Sequence, residues 1–129
     1  MRVLITGDRN WTEYAPVFRV LDILHELHPD AIIVEGGAPG ADTIAGEIWT
    51  KLSSVYCLEV HKADWGKHGR SAGPIRNRFM VKESQRRAEL DGHRLEYAVA
   101  FHHDLLHSRG TRDMVSVLES AGIPVLKVG

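Results

Sequence analysis

The chain has 129 residues, 43% of them hydrophobic and 26% charged, which suits one domain with its own hydrophobic core. Its formal net charge of −1 gives no overall basic field, so duplex nucleic acid is not the expected partner. A single cysteine excludes a disulfide framework and no apolar run approaches the roughly 20 residues of a membrane span, so we expect one cytoplasmic domain over residues 1–129 without a membrane partner.

The first half of the chain alternates apolar runs with helical periodicity. Residues 1–6 predict a buried strand, and residues 17–27 keep the spacing of an amphipathic helix. A second β-branched run at 31–34 predicts another strand, followed by a helix over 44–52 and a third strand near 55–60. These patterns indicate strand–helix units.

The second half continues this alternation after a longer connection. Residues 61–73 form a long loop of the kind that often lies over a binding site. Pro74 suits the first turn of a helix that extends through residue 89, and 97–101 predicts the fourth strand. A last helix precedes a fifth strand at 125–128.

Strands that alternate with helices predict an α/β fold, a Rossmann-like domain whose parallel sheet has helices on both faces. We expect five strands in the order 3-2-1-4-5. In that order the first and fourth strands are neighbours at the switch point, where open α/β sheets bind ligands beyond the carboxyl ends of the strands. The loops after the first four strands would therefore meet at one edge.

A glycine-rich turn, Gly36-Gly37-Ala38-Pro39-Gly40, joins the second strand to its helix. The free N–H groups of a helix N-terminus suit a phosphate, and glycines let the backbone approach it; the same glycines could simply form a tight turn. Asp42 is an acid in the first helical turn and would repel a phosphate there. It could instead bind ribose hydroxyls or an arginine.

Five ordered blocks carry a resemblance to a known family. They are Arg2-Val3-Leu4-Ile5-Thr6-Gly7-Asp8-Arg9, Gly36-Gly37-Ala38-Pro39-Gly40-Ala41-Asp42, Ala63-Asp64-Trp65, Ala72-Gly73-Pro74-Ile75-Arg76-Asn77 and Gly110-Thr111-Arg112-Asp113-Met114. Together they resemble the YspA-like branch of the SLOG superfamily, Rossmann-like domains related to the Lonely guy phosphoribohydrolases and to the DprA/Smf proteins.

The resemblance implies binding or sensing of a nucleotide or an ADP-ribose-like derivative. An alternative is N-glycosidic hydrolysis of a nucleoside monophosphate, as in the Lonely guy enzymes, whose phosphate loop and following glutamate correspond here to residues 107–111 and Asp113. Arg76 would then match the arginine that those enzymes carry on a preceding helix. Single-stranded DNA binding of the DprA type is the weaker alternative. The relatives also imply a possible homo-oligomer, and no cofactor.

The candidate site residues follow from the loops and the resemblance together. The expected ligand-binding residues are Gly7, Arg9, Gly36, Gly37, Gly40, Asp42, Asp64, Trp65, Arg76, Asn77, Gly110 and Thr111, and the catalytic candidates are Asp113, Glu35 and Arg76.

Several of these residues have a second, structural role open to them. Arg9 and Arg76 could bind an anion or form ion pairs with Asp8, Asp42 or Asp64, and Trp11 and Trp65 could stack on a base or cap the core. The loop 102–107 has metal-capable histidine spacing without a visible third ligand, so no metal is expected.

Overall fold

The computed structural model describes residues 1–129, which form a five-stranded parallel sheet with helices on both faces. The strand order is β3-β2-β1-β4-β5, as predicted. The elements are β1 (Arg2–Gly7), α1 (Tyr14–Leu27), β2 (Ile32–Glu35), α2 (Ala41–Leu52), β3 (Leu58–Val60), α3 (Trp65–His68), α4 (Ala72–Asp91), β4 (Leu95–Phe101), α5 (Arg109–Ser120) and β5 (Val125–Val128).

The two faces of the sheet carry separate apolar clusters. Val3 and Ile5 of β1 point to the side covered by α1 and α2, where Trp49 is among the largest buried side chains. Leu4, between them, points to the opposite side and packs with Met80 of α4 and with residues of α5. This alternation along β1 is the period of two expected of a strand buried on both faces.

The structure corrects the predicted start of the third strand. Residues 55–57 form a 3-10 turn, because the Ser54 side chain accepts a hydrogen bond from the N–H of Tyr56, and pairing with β2 begins only at Leu58. The long loop 61–73 contains α3 and a second 3-10 turn before α4 begins. Pro74 lies in the first turn of α4, as predicted.

β1 and β4 end side by side at the switch point. The N–H of Asp8 bonds the carbonyl of Phe101 at 2.9 Å, and a Cβ on Gly7 would lie 2.5 Å from both that carbonyl and the Cβ of Ala41. Only glycine fits between these neighbours. From here the chain continues to α1 on one face and to α5 on the other, which opens a crevice between the two loops. None of the helices has the length and apolar character needed to cross a membrane.

Candidate functional site

A cleft of about 820 Å³ lies at the carboxyl edge of the sheet. Its walls come from the loops that follow β1, β2, β3 and β4 and from the first turns of α4 and α5. Of its 26 lining residues only three are hydrophobic, so the cleft suits a polar ligand.

Most of the predicted site residues line this cleft: Gly7, Arg9, Gly36, Gly37, Asp42, Trp65, Arg76, Asn77, Gly110, Thr111 and Asp113. Three predicted residues, Glu35, Gly40 and Asp64, do not line it. The structure therefore brings together residues from four separate loops, and the three exceptions each have a local structural reason.

The glycine-rich loop between β2 and α2 is occupied by carboxylates of its own chain. Asp42 Oδ2 accepts hydrogen bonds from the N–H groups of Gly36 at 3.1 Å and Ala38 at 3.3 Å. Glu35 Oε1 accepts from the N–H of Gly37 at 3.1 Å. The N–H groups of Gly36, Gly37 and Ala38 are therefore already bonded within the chain, and the phosphate contact at this loop stays a prediction.

Gly40 brings two loops of the chain into close contact. Its φ is +83°, and a Cβ at this position would lie 2.3 Å from the carbonyl oxygen of Asp8. The neighbouring Ala41 donates its N–H to that same oxygen at 3.2 Å. The close approach that glycine allows here joins the β2–α2 loop to the β1–α1 loop.

Burial shifts the titration of both loop carboxyls. Burial, followed by the charge of Asp42, raises the pKa of Glu35 to about 8. Burial also raises the pKa of Asp42 to about 6, against the hydrogen bonds from Ala38 and Gly36 that favour its ionised form. Glu35 is 2% exposed and faces α2, where a Cβ on Gly46 would lie 3.6 Å from Oε2. Glu35 therefore does not line the cleft, and its catalytic role stays a prediction.

Arg76 is held by neutral acceptors on three sides. Its Nη1 donates to the carbonyls of Gly36 at 2.7 Å and His61 at 3.3 Å, and its Nε donates to Asn77 Oδ1 at 3.0 Å. Its Nη2 has no partner within the protein, and burial lowers its pKa. The ion pairs that the sequence left open for Arg76 are absent. Arg9 likewise pairs with no carboxylate; its guanidinium carbon lies 5.8 Å from the ring centroid of Trp65.

The N-terminus of α5 presents free N–H groups to the cleft. Ser108 caps the helix, its Oγ accepting the N–H of Thr111 at 3.3 Å and its carbonyl accepting that of Arg112 at 3.2 Å. The N–H groups of Arg109 and Gly110 have no partner within the protein. With the partial positive charge of a helix N-terminus, they form a surface suited to an anion.

Asp113 ties α5 to α4. Its Oδ2 accepts from Asn77 Nδ2 at 3.0 Å and lies 3.3 Å from Nη1 of Arg78, whose side chain is largely exposed. Asp64 does not line the cleft; it caps α3, where its side chain accepts the N–H of Lys67 at 3.0 Å. Both predicted acids thus have structural partners.

The two tryptophans considered for base stacking differ in exposure. Trp65 is 51% exposed and lines the cleft. Trp11 is 3% exposed, donates its indole N–H to the carbonyl of Glu13 at 2.7 Å and packs against Phe101 and His103. Trp11 therefore caps the core.

The sequence interpretation missed several polar residues of the cleft. The main ones are Lys62, Arg70, His102, Asp104, His107, Ser108 and Arg109. A signal for two of them existed, since Arg70 and Arg109 each adjoin a glycine in a loop that follows a strand. The histidine loop is internally bonded, with His107 Nδ1 2.7 Å from Asp104 Oδ2, and no group of three metal-capable side chains is present.

Charges of both signs line the cleft, but they do not pair across it. Its five lysine and arginine side chains are Arg9, Lys62, Arg70, Arg76 and Arg109, and its four acids are Asp8, Asp42, Asp104 and Asp113. None of these cations lies within ion-pair distance of any of these acids. The acids are bonded instead to backbone N–H groups, to histidines or to Arg78.

Known proteins match both the sequence and the fold. The family model YAcAr, described as the YspA, cpYpsA-related SLOG family, matches residues 1–68. The gene 61 protein of Mycobacterium phage D29 is 39% identical over 132 residues, which cover 99% of this chain and 96% of that protein.

A solved structure of DNA processing protein A from Helicobacter pylori, determined to describe its single-stranded DNA binding mode, superposes with a TM-score of 0.66. At 17% identity this likeness shows the fold alone, and the match covers 98% of this chain but 64% of that one. The family model confirms the resemblance found in the sequence. The chain belongs to the YspA, cpYpsA-related SLOG family.

Proposed function

We propose that this protein binds a nucleotide or a nucleotide derivative, such as an ADP-ribose-like molecule, across the carboxyl edge of its sheet. The observation that carries the proposal is a polar cleft of about 820 Å³. It brings together five cationic side chains that form no ion pair and a helix N-terminus whose first N–H groups have no partner. Such a surface favours a ligand with more than one negative charge.

The phosphate end of the ligand belongs at α5. The N–H groups of Arg109 and Gly110 and the side chain of Arg109 offer donors there, whereas the N–H groups of Gly36, Gly37 and Ala38 in the glycine-rich loop are already bonded. Phosphate at a helix N-terminus gains from both the N–H groups and the helix dipole. The exposed ring of Trp65, with Arg9 beside it, offers a face for stacking a base.

Hydrolysis of the N-glycosidic bond is less well supported than binding. That reaction passes through an oxocarbenium-like transition state and needs a carboxylate near the anomeric carbon. Glu35 lies beneath α2, and Asp113 is bonded to Asn77 and Arg78. Glu35 therefore does not line the cleft, and Asp113, which does, already has partners for its carboxylate.

Single-stranded DNA is the second candidate ligand. It is favoured by the exposed Trp65 among arginines, since stacking aromatics in a basic groove are typical of single-strand binding. The four acids in the same cleft weigh against a continuous backbone track.

The test is titration of the purified protein with AMP and with ADP-ribose by calorimetry, together with mass spectrometry of small molecules that co-purify. We expect Arg109→Gln to weaken binding about tenfold, because it removes a charge-assisted contact. The matched control is Arg19→Gln, an exposed arginine on α1 outside the cleft, which should leave the affinity unchanged.

The outcomes separate the three functions. Retention of an unaltered nucleotide supports the binding protein, and release of free base from AMP supports the hydrolase. Binding of oligo(dT) that weakens steeply with salt, without affinity for AMP or ADP-ribose, would replace the proposal by single-stranded DNA binding.

A further inference from the structure

We infer that the β2–α2 loop receives the sugar end of the ligand, with Asp42 accepting a hydrogen bond from a ribose hydroxyl. This inference rests on the proposed function and adds the direction in which the nucleotide lies. The sugar would face Gly36 and Asp42, and the phosphate would face Arg109 and Gly110.

The first observation is that the loop N–H groups nearest to β2 are already bonded within the chain. Two carboxylates of the chain itself, Glu35 and Asp42, already accept the N–H groups of Gly36, Gly37 and Ala38. A phosphate at these N–H groups would have to displace both side chains and would meet the negative charge of Asp42. The Asp42 side chain itself keeps an acceptor without a partner, which suits a hydrogen-bond donor.

The second observation is the unused oxygen of Asp42. Its Oδ2 has two N–H partners, but its Oδ1 is buried and has none, although the residue is only 6% exposed and borders the cleft. A buried acceptor without a donor is costly and rare in folded proteins. A bound hydroxyl would supply the donor.

The protein itself offers no donor for this oxygen. Arg76 is the nearest candidate, yet its three hydrogen bonds go to Gly36, His61 and Asn77, and it lies outside ion-pair distance of Asp42. A Cβ on Gly36 would lie 2.4 Å from Arg76 Nη1 and 3.0 Å from Asp42 Oδ2, so the guanidinium covers this part of the loop.

The experiment compares AMP with 2′,3′-dideoxy-AMP by calorimetry. In the unmodified protein we expect the dideoxy compound to bind at least tenfold more weakly, because a hydrogen bond to a charged acceptor is lost. In Asp42→Asn the difference should shrink to about threefold or less, because an amide oxygen still accepts the loop N–H groups while a donor replaces Oδ1. Asp30→Asn, an exposed acid outside the cleft, is the matched control and should keep the full difference.

Each outcome decides the inference. Equal affinity of the unmodified protein for the two compounds would overturn it while leaving the proposed function intact, since a nucleotide would still bind. A full difference that persists in a folded Asp42→Asn protein would also overturn it, because the hydroxyls would then be bound elsewhere. Absence of binding to AMP and to ADP-ribose alike would reject the proposed function and this inference with it.

Discussion

Arg2 and Arg76 show how differently the two ends of the sheet handle a buried charge. Arg2 donates five hydrogen bonds, two to Glu59, two to Asp91 and one to the carbonyl of His93, at 2.7–3.1 Å. The hydrogen bond with Glu59 raises its pKa above the usual value, against the effect of burial. Arg76 meets only neutral acceptors, keeps Nη2 unpartnered, and has its pKa lowered by burial.

The surroundings of the two arginines extend the contrast. Beside Arg2, Glu59 also binds Arg87, which in turn binds Glu83 on α4, so opposite charges are joined in a chain. Around Arg76, cations and acids share one cleft without pairing. Paired charges stabilise the fold, whereas charges kept apart remain available to a ligand. This difference supports our proposal that the ligand binds at the carboxyl edge of the sheet.

The largest expected effect comes from breaking the network at Arg2. Arg2→Gln should lower the free energy of unfolding by about 3 kcal/mol. Arg2 is only 1% exposed, and its replacement leaves the carboxylates of Glu59 and Asp91 without their shared partner. Urea denaturation followed by circular dichroism measures this change. Nucleotide affinity of the remaining folded protein should not change.

Arg87→Gln is the control for this prediction. Its guanidinium is partly exposed and contacts the same Glu59, so we expect a loss under about 1 kcal/mol. A loss at Arg2 no larger than that at Arg87 would contradict the view that this end of the sheet is stabilised by its buried arginine.

The second prediction concerns pH and the carboxyls of the cleft wall. Glu35 has its pKa raised from 4.5 to about 8, so its contribution to stability is full below pH 4.5 and is lost as the pH rises through 8. We expect the unmodified protein to lose about 2 kcal/mol of unfolding free energy between pH 6 and pH 8 from this group. Asp42 has its pKa raised to about 6, so most of its own effect on the free energy of unfolding is lost below pH 6.

Glu35→Gln should remove that loss, since the amide stays neutral and its oxygen can still accept the N–H of Gly37. Urea midpoints at pH 6 and pH 8 measure the effect. The control is Glu47→Gln, at an exposed glutamate of α2, and this variant should retain the pH dependence. An equal slope in Glu35→Gln and in the unmodified protein would show that Glu35 is ionised in the fold at neutral pH.

The strand order and the two helical layers could be predicted because they follow from local periodicity and from right-handed crossovers. The start of β3 could not, because Val55-Tyr56-Cys57 has the composition of a strand. A side-chain cap from Ser54 and the absence of pairing before Leu58 decide its structure. Hydrophobic composition alone does not report such a cap.

The meeting of four loops could also be predicted, but the direction of individual side chains was harder. Ile33 and Glu35 are two residues apart on β2 and therefore lie on the same face of the sheet, the one covered by α2. The alternation of a strand was thus sufficient to predict the position of Glu35. The bond from Asp42 back to its own loop depends on a glycine turn with Gly37 at φ +68°. That geometry has no signature in the spacing of the residues.

The smallest expected effect is at Asp113, and it separates binding from hydrolysis. Asp113→Asn keeps an acceptor for Asn77 and loses only an interaction with the exposed Arg78, so stability should fall by about 0.5 kcal/mol or less. Asp113→Ala also removes the acceptor and should cost about 1 kcal/mol more. If Asp113 only ties α5 to α4, both variants keep AMP affinity within about twofold, because the α5 N–H groups stay in place. Base release from AMP by the unmodified protein that disappears in Asp113→Asn would instead make this carboxylate catalytic and the cleft a hydrolase site.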